Sequence, residues 1–248
     1  MKNLLFSLLL GLLLLPACSR IWHIADVQPN SYRVTKAVDA SAEEDIRALI
    51  SPYKEQLDAE MNQVLGRLTH PLEKAKPEST LGNWMCDMLH KKSEDYYQKP
   101  IDFTTVNYGG IRLSSLPAGD LTVRTIFELM PFDNQLVVLR VDSAIVHQLF
   151  ERMAANGGWP ISQQVSYRIV DQQPQDIRIK GQPLQGNRTY YISISDFIAN
   201  GGGRCFFLRD QPRDALGKQV REGMIDYLRE ETAAGRAYSA AVDGRVKS

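Results

Sequence analysis

Asn107-Tyr108-Gly109-Gly110-Ile111-Arg112, followed shortly by Met130-Pro131-Phe132-Asp133-Asn134, is the stretch on which the reading of this chain turns. The residues before it, Ile101-Asp102-Phe103-Thr104-Thr105-Val106, are rich in β-branched and aromatic side chains and predict a buried strand. That strand runs into an asparagine and two glycines, which tolerate positive φ and let a ligand approach the backbone. Arg112 follows, a planar fork of donors suited to a carboxylate, a phosphate or a sugar hydroxyl. Open α/β sheets tend to place ligands at such strand ends. The same six residues also fit a hairpin-like turn with a solvated arginine, so the wider pattern has to decide.

The wider chain has 248 residues, 44% of them hydrophobic, enough to bury a sizeable core. Lys+Arg and Asp+Glu both number 29, which argues against a nucleic-acid surface built on bulk positive charge. Residues 1–17 predict a signal peptide: Lys2 supplies the positive start and Leu4 to Leu15 an almost unbroken apolar run, short for a membrane span. Its end, Leu15-Pro16-Ala17-Cys18, resembles a bacterial lipobox in which Cys18 is lipidated; an ordinary signal peptide cleaved nearby is the other reading. Lipidation implies an exported protein held to a cell-envelope membrane, facing the periplasm or the cell surface. Cys86 and Cys205 stand in apolar surroundings far apart in sequence and predict two separate buried thiols. No Cys/His cluster suggests a metal.

Residues 18–31 read as a tether, with a first strand expected at Tyr32-Arg33-Val34. Asp39 or Ser41 then caps a long helix with Ile46, Leu49, Ile50, Tyr53, Leu57, Met61 and Val64 at helical spacing, kinked or split by Pro52. A short strand over 64–69 precedes a helix starting near Ser79, with Leu81, Met85, Met88 and Leu89 inward and Lys91-Lys92 on a solvated face. Leu121-Thr122-Val123 and 135–141 read as strands. Asp142 or Ser143 caps a helix over 144–155, closed by Asn156-Gly157-Gly158. His147 beside its stripe reads as structural. Strands are expected over 165–170, 176–180 and 190–195, with a turn at Gly181-Gln182-Pro183. A last helix over 215–231 leaves 231–248 as a loose tail. Helices and strands mixed without a βαβ rhythm predict a compact α/β domain, not a doubly wound sheet.

Asn107-x-Gly109-Gly110-Ile111-Arg112, Gly119-Asp120-Leu121-Thr122 and Pro131-Phe132-Asp133-Asn134 occur in order with three further segments. These are Glu78-Ser79-Thr80-Leu81-Gly82-Asn83, Gln164-Val165-Ser166 and Ser195-Asp196-Phe197-Ile198-Ala199-Asn200-Gly201-Gly202. The ordered set resembles the C-terminal domain of the 5′-nucleotidase / UDP-sugar hydrolase family, over roughly residues 32–230. The resemblance implies a four-layer α/β/β/α fold, with two sheets between helical layers. It also implies a nucleotide site: Asn107, Gly110 and Arg112 on ribose and phosphate, Phe132 and Phe197 around the base, and Asn134 on the base edge. Two aromatic plates and an amide form a coherent reader of a base.

The chain departs from that pattern in three places. Gly203-Arg204 stands where the family usually continues Asp-Gly, removing a carboxylate for ribose hydroxyls; Tyr167 replaces a glycine and is expected to crowd the pocket. The basic residue that often precedes the Glu78 motif has no certain counterpart, although Lys74 and Lys76 lie close. Two-metal phosphoester hydrolysis needs several N and O ligands held together. His23, His70, His90 and His147 fall in no such motif. The resemblance therefore implies a recognition domain with no cofactor of its own, working in trans with a separate metallophosphoesterase that carries the divalent metals. The other reading is a non-enzymatic lipoprotein that binds nucleosides or nucleotides.

Overall fold

The computed structural model describes Ser31 and residues 44–248. The leader, Cys18, the strand expected at Tyr32-Arg33-Val34 and the caps Asp39 and Ser41 lie outside the described residues. The chain divides into two compact units between Ile50 and Ser51. Of the first, only Ser31 and the opening of helix α1 (Glu44–Met61) are described. α1 continues through Pro52 rather than splitting there. Proline costs this helix one backbone bond, on a surface where water can replace it. In the second unit its apolar positions are only partly covered: Tyr53 is 74% and Leu57 52% exposed, while Met61 packs against a core. Arg124 holds this part of α1, donating to Asp58 (2.8 Å) and Asn62 (3.4 Å).

The second unit is built on two four-stranded sheets. β-Branched and aliphatic runs give the central one, ordered β11 (Arg213–Gln219), β6 (Gln135–Val141), β10 (Tyr190–Ser195), β3 (Phe103–Thr104). β10 pairs antiparallel with β6 and parallel with β3, setting Ile192 opposite both Leu139 and Phe103. The second sheet is ordered β12 (Val246–Lys247), β7 (Val165–Val170), β8 (Gln173–Ile179), β9 (Gln182–Pro183). Two short ribbons pair β1 (Val64–Leu68) with β5 (Gly119–Thr122) and β2 (Leu72–Glu73) with β4 (Ser115–Leu116). The α/β class is as expected.

Each main helix starts where its cap residue dictates. Ser79 Oγ accepts from Gly82 N to open α2 (Thr80–Tyr97), and Asp142 caps α4 (Ser143–Ala155). Thr122 and Thr125 form a reciprocal box that opens α3 (Val123–Leu129). The sequence pattern does not announce this helix: Val123, expected in a strand, is its first residue. α2, α3 and α6 (Val220–Ala233) bury a core with β1, including Leu81, Met85, Leu89, Ile126, Met224 and Leu228. A second core joins the central sheet, α4 and β7, where Phe150 lies 5.7 Å from Phe103 and 5.0 Å from Tyr167, ring to ring. Cys86 and Cys205 are free and buried, and burial pushes the Cys205 thiol up to about 11.

Further expectations need correcting. Lys92 is buried, 4% exposed, because α2 turns it toward α6: it pairs with Glu230 (2.7 Å) and Asp95 (3.2 Å), while Lys91 stays exposed. Residues 213–219, partly expected as helix, form an edge strand on β6, and the helix begins only at Val220. Tyr167 faces Phe150 in the second core and does not crowd a pocket. The tail is not loose. Tyr238, Arg245 and Val246 are buried, and β12 adds to β7 in parallel, Val246 opposite Tyr167. Glu78 accepts from the backbone N–H groups of Asp243 (2.9 Å) and Gly244 (3.1 Å). Arg245 grips Asp87 (2.8 and 3.0 Å) and Asp243 (2.6 Å).

Candidate functional site

Beyond β3 the backbone turns through a single 3₁₀ turn, Tyr108–Gly110, with Asn107 just before it and Gly110 N–H donating to the Asn107 carbonyl at 2.9 Å. A Cβ at Gly110 would lie 3.0 Å from the Asn107 side-chain oxygen, so only glycine leaves that amide where it is. Arg112 is tied by its backbone N–H to the Leu129 carbonyl at 3.0 Å, which sets the turn beside the end of α3. Its guanidinium stays exposed, reaching the Gly109 carbonyl at 3.4 Å and lying 5.8 Å from the centre of the Phe132 ring.

Phe132 and Asn134 sit in the connection from α3 to β6. Arg221 of α6 holds that connection, donating to the Phe132 carbonyl at 2.8 Å and pairing with Asp133. Val220 N–H donates to the Asn134 carbonyl at 2.9 Å. Phe197 lies in α5 (Asp196–Ala199), a single turn capped by Ser195. Asp196 accepts from Gln135 N–H at 3.0 Å and so joins the two phenylalanine-bearing segments. Gly202 packs directly on Phe197, since a Cβ there would fall 2.6 Å from the ring. Both rings are largely open, Phe132 39% and Phe197 46% exposed. Exposed phenylalanines at a cavity mark a surface that binds something apolar.

Asn107, Gly110, Arg112, Phe132, Asn134 and Phe197, the six residues singled out in the sequence, line one cavity of about 260 Å³ together with Gly109. Beside it stands a group of cations. Lys74 Nζ donates to the Ile111 carbonyl at 2.7 Å and lies 4.1 Å over the Tyr108 ring; Lys76 Nζ lies 4.6 Å from the same ring. Burial first, then the charges of Arg112 and Lys76, lower the Lys74 pKa. Among the described residues none of these three cations has a carboxylate within 4.0 Å. An anionic ligand is what this field lacks.

Gly203 and Gly202 behave differently from one another. The Gly203 backbone has φ +62°, a Cβ there would sit 3.2 Å from the Trp159 ring, and its carbonyl accepts from Arg152 Nε at 2.6 Å. The position faces Trp159 rather than the cavity. His147 is exposed and within 3.3 Å of Glu151 on α4, away from the cavity lining. Sequence reasoning did not single out Arg221 and Asp196, which hold the site in place. Asp196 stands inside the Ser195–Gly202 motif and Arg221 in none, but neither role is visible locally, because the partners of Arg221 and Asp196 lie 89 and 61 residues away.

The fold and site define a mixed α/β domain with two exposed aromatic rings and side-chain amides around one cleft, beside cations that have no carboxylate within 4.0 Å among the described residues. The particular family is plain from comparison: residues 64–209 match the model of the 5′-nucleotidase C-terminal domain, and this chain belongs to that family. It is 25% identical over 206 residues to Protein UshA of Escherichia coli, covering 79% of this chain and 35% of that one. It is 28% identical over 241 residues to the cell wall protein Lmo0130 of Listeria monocytogenes, covering 85% and 30%. The crystal structure of a 5′-nucleotidase precursor from Thermus thermophilus superposes with a TM-score of 0.68 at 26% identity, over 84% of this chain and 44% of that one. The chain thus spans about a third of the length of the curated relatives it matches.

Proposed function

We propose that this domain recognises a nucleotide or nucleoside and presents it to a separate metallophosphoesterase. The observation that carries the reading is the convergence of Asn107, Gly110, Arg112, Phe132, Asn134 and Phe197 from three separate segments on one cavity. The base stacks on Phe132 and Phe197, and Asn134 hydrogen-bonds its edge. Asn107, the Gly110 backbone and Arg112 take ribose and phosphate. Lys74 and Lys76 add positive charge on the phosphate side, and a dianionic phosphate is the group that such a field attracts. Divalent metals belong to the partner. The leader and Cys18 support a setting at the cell envelope, with the protein held by a lipid; the name of the Listeria relative, a cell wall protein, supports the same setting.

The test is calorimetric titration of the full chain in detergent with a small panel of nucleosides and their monophosphates. Phe132→Ala and Phe197→Ala should each weaken binding of the preferred ligand roughly 5- to 150-fold, because stacking is worth about 1–3 kcal/mol per base and about 1.4 kcal/mol is tenfold. Arg112→Ala should weaken the monophosphates more than the nucleosides. Absence of binding at millimolar concentration, alone and with the phosphoesterase, would rule the reading out.

A further inference from the structure

A second cavity, of about 390 Å³, lies apart from the first and shares no lining residue with it. Its walls come from the connection between α2 and β3, the end of β8 and the start of β10, and they carry Lys99, Lys180, Arg188 and one carboxylate, Asp102. Asp102 is 3% exposed and already satisfied: one oxygen accepts from Arg188 and the other from Tyr191 N–H at 2.9 Å. That carboxylate therefore offsets Arg188 alone. Lys99 and Lys180 remain, both exposed, with no carboxylate within 4.0 Å among the described residues.

The backbone fixes where these groups stand. Lys180 has φ +51°, ahead of Gly181 at +76°, in the turn between β8 and β9, and its N–H donates to the Gln164 carbonyl at 2.6 Å. Arg188 lies 4.8 Å from the Tyr190 ring, with part of its planar fork free of Asp102. The Thr189 hydroxyl adds a neutral donor, and Tyr191 an aromatic wall packed on Tyr97 at 6.3 Å. The lining thus carries three cations against one anion, a net charge of two, beside an aromatic face.

We propose that this cavity is a second anion site that takes a phosphomonoester dianion, with its organic group against Tyr191. Such an ester carries about −1.5 to −2 charge at neutral pH and offers three acceptor oxygens, which matches two unpaired lysines, a partly free guanidinium and a hydroxyl. A single carboxylate would leave one lysine unmatched. A volume of this order holds more than a bare ion.

Phenyl phosphate and inorganic phosphate are the probes, titrated calorimetrically into the full chain in detergent. Arg112→Ala removes the first cavity's guanidinium and should leave phenyl phosphate binding in place. Adding Lys99→Gln and Lys180→Asn should weaken it at least tenfold; asparagine is chosen because it tolerates the left-handed backbone at 180. Thermal melting checks that the variants fold, and Lys99→Glu alone, a charge reversal on an exposed side chain, should weaken binding similarly if the double change does not fold. Loss of all binding in Arg112→Ala, or undiminished binding in the lysine variants, would overturn the second site. Equal affinity for inorganic phosphate would overturn the assignment to an ester. None of these outcomes bears on whether a nucleoside stacks between Phe132 and Phe197.

Discussion

Gly202 leaves no space beside Phe197 for a side chain. A methyl group at 202 would stand 2.5 Å from the Phe197 carbonyl and 2.6 Å from its ring, so the ring must shift or the turn must open. Gly202→Ala should disturb this turn and weaken base binding by at least about fivefold, roughly 1 kcal/mol of lost stacking, measured in the same titration with thermal melting to check that the variant folds. His90 offers a different test. It is buried on α2, with Thr104 at 3.2 Å and Glu94 at 3.6 Å, and desolvation lowers its pKa below the ordinary 6.5. The folded protein therefore takes up this proton less readily than the unfolded chain. Stability should be full above pH 6.5 and fall as pH drops below it. Melting temperatures from pH 7 to 5 should decline less in His90→Gln, which cannot titrate; an equal decline in both proteins would contradict the assignment. At this scale the six residues that the family resemblance picked out do line one cavity, but the residues alone also fit a turn with a solvated arginine, and the sequence does not say that Phe132 and Phe197 stay exposed. Tyr167 was misjudged because a residue's neighbours in the chain do not say which face of the sheet it joins.

Among the elements, the tail over 234–248 differs most from its sequence. It has no apolar periodicity, and what holds it is distant: Glu78 for its backbone, Asp87 for Arg245, and the Leu228 carbonyl for the Tyr238 hydroxyl at 2.6 Å. The motif that opens with Glu78 is thus explained by tail closure and the α2 cap, since Asn83 donates to Glu78 at 2.7 Å and Ser79 starts the helix. Arg245→Met should remove charge-assisted bonds to Asp87 and Asp243 and cost roughly 2–3 kcal/mol, discounted because Asp243 is about half exposed. Denaturant unfolding checks this, and a change under about 0.5 kcal/mol would show the clamp to be inert. The edge strand β11 was missed for a related reason. Ala215-Leu216-Gly217-Lys218-Gln219 has no strand propensity of its own, and pairing with β6 overrides the local preference.

For the whole molecule, the long apolar runs and cap residues set out β6, β10, α2 and α4 in the sequence, while their assembly into two sheets rested on likeness to a family. Among the described residues no group of three or more metal-ligating side chains comes together. On the proposed function, in which a separate metallophosphoesterase carries the metals, the purified chain should show no phosphatase activity on nucleotides with added divalent metals. A metallophosphoesterase lacking a recognition domain should turn nucleotides over faster when this chain is added. Turnover by the chain alone, surviving removal of contaminating phosphatases, would mean an active site elsewhere. Cys18→Ser should release the protein from membranes or leave it unprocessed; unchanged fractionation and migration would exclude the lipid anchor.

The clamp between Glu78 and the amides of Asp243 and Gly244 spans about 165 residues, and so bears on how the protein is made. A ribosome adding about 5–20 residues each second delivers those amides roughly 8–33 s after Glu78. Until then β7 lacks its parallel neighbour β12, Arg245 has not reached Asp87, and the half-made domain exposes an open sheet edge. Closure therefore waits until residues 243–247 have been made. The domain cannot lock before β12 has been delivered, and a chain stopped ahead of Asp243 keeps β7 as an open edge.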